Sequence, residues 1–152
     1  MTVHSKPLAL HMSAQCPSHA RTDVRIRDHV LTCDEPAARG GTDQGPAPVE
    51  VLVAALTGCT NVIINRLAEM QGLTVRDLRI EASAELDTRG IREGLDLARP
   101  IPRVALTLDL ASDAQGAALD TLQAELHKRC PVSRVLREAG VEIVEDWRVR
   151  PL

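Results

Sequence analysis

Aromatic side chains are almost missing from this sequence, which has one tryptophan, Trp147, and no tyrosine or phenylalanine. Any core must therefore be built from Leu, Val, Ile and Ala, and the stacking surface that single-stranded nucleic acid needs has no residues to form it. A basic footprint is missing too: the 152 residues carry a formal charge of -3 and a pI near 5.9, so nucleic acid is not an expected partner. Met1 to Ala14 is interrupted by His4, Lys6, Pro7 and His11 and lacks the order of a signal peptide. The richest apolar run is broken at Thr57, Thr60 and Asn61, so no membrane span is expected. These absences lead to a cytoplasmic expectation, in which the four cysteines are free, catalytic or metal-bound rather than structural disulfides. Close Cys-x-x-Cys or His-x-x-x-His spacing is lacking as well. No metal site is expected, and Cys16 with His19 is an isolated pair.

What the sequence does contain is organised around Gly45–Gly72, GPAPVEVLVAALTGCTNVIINRLAEMQG. Pro48 suits the first turn of a helix, apolar residues fill most places from Val49 to Ala55, and Gly72 is a stop. The spacing predicts a helix of roughly 24 residues, about 36 Å long. A helix apolar on all sides must be covered on all sides, so a second copy of the chain or a deeply curved sheet is expected to help bury it. Cys59 lies mid-helix on the face shared with Leu52, Ala55, Leu56, Val62, Ile63 and Arg66.

Around this helix the alternation of Leu8, Leu10 and Met12 predicts a first strand within Val3–Gln15, and Val24, Ile26 and Val30 predict a second over Arg21–Thr32. Asp34 to Gly45 reads as a loop. Strands follow over Thr74–Leu86, with one slip in the alternation, and over Arg103–Ala111, separated by a charged connection from Asp87 to Pro102. Ser112 or Asp113 is expected to cap a helix running to Lys128, Pro131 to open another that Gly140 closes, and Val141–Val149 to form the last strand. This order, in a chain long enough for one core, predicts a single α+β domain over residues 1–152.

Two cysteines invite chemistry. Cys130 stands where the Pro131 helix begins, facing unpaired N–H groups and the positive end of the dipole, with Arg129 and Arg134 near in sequence, a setting that favours thiolate. Its bland counterpart is a small buried residue at a helix junction. Cys59, mid-helix among apolar neighbours, is by the same physics the less acidic thiol, and inert packing is its ordinary reading. Glu50, in the first helical turn, has dipole stabilisation as its ordinary role.

Several stretches together resemble the OsmC/Ohr superfamily of thiol-dependent organic hydroperoxide reductases, in its OsmC-like branch. They are Asp34-Glu35-Pro36, Gly40-Gly41-Thr42-Asp43, Gly45-Pro46-Ala47-Pro48, the run from Glu50 to Thr60, and Cys130-Pro131-Val132. The resemblance implies an OsmC-like fold with antiparallel sheets around a long buried helix, interlocked as a homodimer. It implies that Cys59 attacks a hydroperoxide substrate and that Cys130 resolves the sulfenic acid into a disulfide. It also implies that no bound cofactor is used and that an external dithiol reductant, of lipoyl type in the best known members, restores the pair. An arginine from the amino-terminal strands supports the first thiolate in this family; Arg21 is the best match, with Arg25 as alternate, and Glu50 is the supporting carboxylate. In the hydroperoxide-resistance branch that carboxylate lies ten residues before the attacking cysteine, which is Val49 here. A shift of one residue turns a helical side chain by about 100°, so the arginine–glutamate–cysteine arrangement is not carried over intact. The competing expectation is a non-catalytic dimer of the same fold that binds an apolar or thiol-reactive small molecule. Cys16 and Cys33 are expected to be strand-end or surface thiols.

Overall fold

The computed structural model describes residues 6–152, so the first three residues of the strand expected within Val3–Gln15 lie outside the described residues. The chain forms two compact units, the first ending at Val51 and the second running from Leu52 to Leu152.

In the first unit, β1 (Ser13–Gln15), β2 (Thr22–Ile26) and β3 (His29–Cys33) make an antiparallel sheet in that order. The stretch expected as one strand over Arg21–Thr32 is therefore a hairpin. Ile26 pairs with His29 across a two-residue loop, with Arg27 at φ 56°. An arginine in the left-handed region gives no turn signature, which is why the alternation seemed continuous across it. Leu8, Leu10 and Met12 precede β1 and are exposed, outside any strand. Cys16 is a surface thiol just beyond β1 and Cys33 a buried strand-end thiol that closes β3, the two placements expected for them.

After β3 the chain turns through the short 3-10 segment Ala37–Arg39 into α1 (Pro48–Gln71). Both ends of α1 are as the sequence predicts. Glu50 accepts the Ala47 N–H at 2.7 Å, one arm of a capping box. At the other end Gly72 adopts φ 68°, the Leu73 N–H bonds the Ala68 carbonyl and the Gly72 N–H the Glu69 carbonyl, which is a Schellman stop. Within the chain α1 is covered along one stripe, Leu56, Thr60, Ile64, Leu67 and Ala68, while Leu52, Val62 and Met70 remain exposed. Taken by length and composition alone, α1 would suffice to cross a membrane, contrary to the expectation that its polar interruptions forbid it; the buried stripe shows one side packed as a core helix.

In the second unit, β4 (Val75–Ala84), β5 (Arg103–Ser112) and β6 (Glu142–Arg150) form one sheet with β5 in the middle. The slip in the β4 alternation is a bulge between Arg76 and Arg79, with Asp77 at φ 51°. On β5, Val104, Leu106, Leu108 and Leu110 all face the core at 2% exposure or less. β4 pairs antiparallel with β5, but β6 pairs parallel to it, correcting the expectation of purely antiparallel sheets. The reason lies in the connection: α3 (Ala117–Arg129) and α4 (Pro131–Glu138) carry the chain back before β6 begins, and a parallel pair needs such a crossover. A short helix, α2 (Arg89–Glu93), occupies the stretch expected as a bare connection.

The start of α3 also differs. Gly116 stands at its N-cap, the Ser112 hydroxyl accepts the Ala114 N–H, and the Asp113 carboxylate accepts the Thr74 N–H, tying the end of β5 to the start of β4. The core of this unit joins Leu56, Ile64 and Leu67 of α1 to the β5 row, Leu122 and Leu126 of α3, Cys130, Leu136, Val141 and Ile143. Burying side chains of this size contributes about 1.5–3 kcal/mol each before entropy is counted.

Candidate active site

Cys130 is the hinge of the helical corner. Its N–H bonds the Leu126 carbonyl to finish α3, and its own carbonyl accepts the Arg134 N–H to start α4. Its side chain has no exposed surface. That burial decides its chemistry. Desolvation pushes the thiol up to about 11, against the opposing N–H groups of Ser133 and Val132 at the start of α4, with the Cys59 thiol adding to the upward push. The thiolate expected from the helix dipole is thus outweighed. The two nearby arginines do not help it, because Arg129 pairs with Glu125 and Arg134 with Glu138.

Cys59 reaches the same place from α1. It packs, partly exposed, against the core cluster that includes Cys130, near enough for its thiol to add to the upward push on Cys130. Two residues far apart in the chain are thereby brought together as free thiols, one accessible and one not. A pair of this kind can form a disulfide after the outer sulfur is oxidised, because the inner thiol is shielded from the oxidant yet adjacent to the product.

Arg21 and Glu50, expected as supporting residues, are engaged locally in the first unit. The Arg21 guanidinium makes a two-pronged pair with Asp23, through Nε at 3.1 Å and Nη2 at 3.0 Å, and Asp23 also accepts the Thr32 hydroxyl. These donors hold the Asp23 carboxyl below its ordinary range, the Arg21 hydrogen bonds first. Arg25, the alternate, lies on β2, which Arg21 immediately precedes. Glu50 caps α1, its ordinary reading.

The residue that sequence reasoning left without a role is Asp34. Fully buried, its carboxylate accepts the N–H groups of Glu35, Thr42 and Gln44 and the Thr42 hydroxyl. These bonds, the Thr42 hydroxyl foremost, lower its pKa. They wrap the Gly40–Gly41 loop around one anion, and a Cβ on Gly41 would meet the Glu35 carbonyl oxygen at 1.7 Å. The signal available in the sequence was an aspartate shortly before Gly-Gly-Thr. Among the described residues, no group of three His, Cys, Asp or Glu side chains converges as a metal would require.

The OsmC-like protein family model matches residues 41–146. The chain belongs to the OsmC-like family. Solved structures agree on the fold. An OsmC-like protein from Mycoplasma pneumoniae superposes with a TM-score of 0.79 at 16% identity, covering 95% of this chain and 99% of that one. An organic hydroperoxide resistance protein OsmC from Legionella pneumophila gives 0.67 at 18% identity, covering 95% and 100%. The organic hydroperoxide resistance protein OhrB of Bacillus subtilis gives 0.55 at 17% identity, covering 94% and 98%. A comparison with curated protein sequences gave no match.

Proposed function

We propose that this OsmC-like chain is a thiol peroxidase for organic hydroperoxides, with Cys59 as the attacking and Cys130 as the resolving thiol. The observation that carries the reading is the adjacency of these two free thiols. Relatives of the same fold from Legionella pneumophila and Bacillus subtilis, described as organic hydroperoxide resistance proteins, support the substrate class.

The Cys59 thiolate attacks the distal peroxide oxygen, the O–O bond breaks, and the alkoxide leaves as the alcohol after taking a proton. Cys59 is left as a sulfenic acid. Cys130, losing its own proton, attacks that sulfur and expels water, which closes the disulfide before further oxidation. An external dithiol then returns two electrons and two protons. The aliphatic surroundings of the pair suit an alkyl hydroperoxide rather than hydrogen peroxide. Arg21 and Glu50 complete the reading as supporting residues. For Arg21 that role requires release from Asp23, so Arg21→Ala should slow peroxide attack while leaving disulfide closure unaffected.

The same proposal includes a cytoplasmic homodimer. Its support is the apolar surface that α1 leaves uncovered at Val62 and Met70. Val62→Asp should convert a dimeric elution volume to a monomeric one, and a wild-type monomer would refute the assembly.

The commitment of Glu50 to the Ala47 N–H favours a second reading, a non-catalytic binder of apolar or thiol-reactive molecules in the same fold. Steady-state consumption of cumene hydroperoxide by the protein with a dithiol separates the two. Catalytic turnover supports the peroxidase; stoichiometric binding without turnover supports the binder.

A further inference from the structure

β6 breaks its own pattern at one place. Ile143, Trp147 and Val149 pack with the core, and Glu145 falls in the same alternating row, opposite the buried Leu106 of β5. A carboxylate in an apolar row is costly unless its oxygens are answered. The Glu145 side chain is 8% exposed, so water does not answer them. Protein donors do: the Arg137 Nη2 at 3.1 Å and the His127 Nε2 at 3.1 Å on one oxygen, and the Trp147 Nε1–H at 3.0 Å on the other. An ionised carboxylate only accepts, which puts a His127 proton on Nε2.

These donors come from different elements. His127 is in the last turn of α3 and Arg137 in the last turn of α4, while Trp147 is on β6 beside the carboxylate. Glu145 therefore ties both helices to the sheet, from either side of the corner at Cys130. Arg137 carries the tie further, because its Nε donates at 3.3 Å to the hydroxyl of Ser133, a 3% exposed residue in the first turn of α4. The N–H of Ser133 is one of the two amides at the Cys130 thiol, so a single guanidinium joins the turn around this sulfur to β6. By contrast, the pairs Lys128–Glu125, Arg129–Glu125 and Arg134–Glu138 each lie within one helix and cannot orient one element on another.

We propose that Glu145, acting through Arg137 and His127, is a positioning residue for the resolving thiol, clamping the α3–α4 corner to β6 so that the Cys130 sulfur is held for closure onto Cys59. The inference rests on the peroxidase reading for the closure step. In that step the Cys130 thiolate attacks the Cys59 sulfenic sulfur, the S–O bond breaks, and the hydroxide leaves as water with the proton that Cys130 gave up. A loosened corner brings the two sulfurs together less often, so it slows closure and not the earlier attack on peroxide. The clamp itself belongs to the reduced protein and can be tested without peroxide.

The test uses Glu145→Leu in the full-length protein, with Arg137→Met as an independent cut of the same tie. Leucine continues the apolar row, and Arg137 and His127, 31% and 43% exposed, regain water, so the first variant is expected to fold. In steady-state consumption of cumene hydroperoxide with saturating dithiol, kcat is expected to fall roughly threefold to tenfold while kcat/KM for the hydroperoxide stays within about twofold. Sulfinic acid should then build up on Cys59, visible by intact mass. A proportional fall of kcat and kcat/KM, or no change in either variant, would overturn the proposal. If the wild type shows no turnover, the peroxidase reading fails on its own account, and the clamp is judged by N-ethylmaleimide labelling of the reduced protein, mapped by peptide mass. Cys33, buried in the first unit, reports global unfolding. Labelling of Cys130 relative to Cys33 is expected to rise roughly tenfold in both variants, as local opening of the corner requires. A ratio equal to that of the wild type would refute the clamp.

Discussion

Cys59 lies midway along α1 at the edge of a buried stripe, partly open, while Cys130 lies at the α3–α4 corner with no exposed surface and a thiol pushed up to about 11. Local helix physics ranks them the other way, since a helix start stabilises an anion and a helix middle does not. The difference teaches that desolvation outranks the dipole once a thiol is fully enclosed. Two amide donors are present at Cys130, from Ser133 and Val132, and still lose. It also divides the labour expected of a redox pair, an accessible sulfur to meet the oxidant and a protected one to answer it.

The sharpest way to break this contrast is to remove each sulfur in turn. Cys59→Ser is expected to reduce hydroperoxide consumption to the rate of the dithiol alone, and appreciable residual turnover would move the attack elsewhere. Cys130→Ser is expected to retain one rapid turnover, followed by accumulation of sulfenic and then sulfinic acid at Cys59, visible by intact mass. Stability should separate the two variants as well. Placing a hydroxyl in the enclosed Cys130 site should cost about 1–3 kcal/mol in urea denaturation, and the same change at Cys59 markedly less. Similar losses would mean that the two environments are alike.

Titration sharpens the comparison further. The folded Cys130 thiol titrates above its ordinary value of 9.0, and its protonated form is the neutral one. Its contribution to stability is therefore complete below pH 9 and is lost as pH rises through about 11. Closure of the disulfide runs oppositely: its rate should rise up to about tenfold per pH unit above pH 7, because the reacting thiolate is scarce. A closure rate flat from pH 7 to 9 in stopped-flow measurements would contradict an enclosed resolving thiol. The smallest effect belongs to Glu50. Glu50→Ala removes the bond to the Ala47 N–H and should cost about 0.5–1 kcal/mol, with little change in turnover if its capping role is the whole of its function.

Much of the fold was legible because the relevant signals are local. Pro48, Gly72 and the alternation of Val104 to Leu110 each mark their own element, and the bounds of α1 and β5 follow closely. The failures arise where a local pattern has a non-local or unusual cause. Arg27 makes a hairpin turn without glycine, and Ser112 and Asp113 bond to the β4 end of the sheet instead of capping α3. The direction of β6 depends on a crossover that periodicity does not record. At the site, residue types and helix positions pointed to Cys59 and Cys130, but their adjacency and the enclosure of Cys130 are products of tertiary packing. Asp34 was likewise visible as a letter, yet its grip on the Gly40–Gly41 loop depends on Thr42 and Gln44 folding back over it.

The central claim is that the two thiols act as one redox couple. Treating the reduced protein with one equivalent of cumene hydroperoxide, blocking remaining thiols and mapping the peptides by mass spectrometry tests it directly. A disulfide joining Cys59 to Cys130, with Cys16 and Cys33 still blockable, is the predicted product. Oxidation confined to Cys16 or Cys33, or an untouched Cys59, would contradict the account.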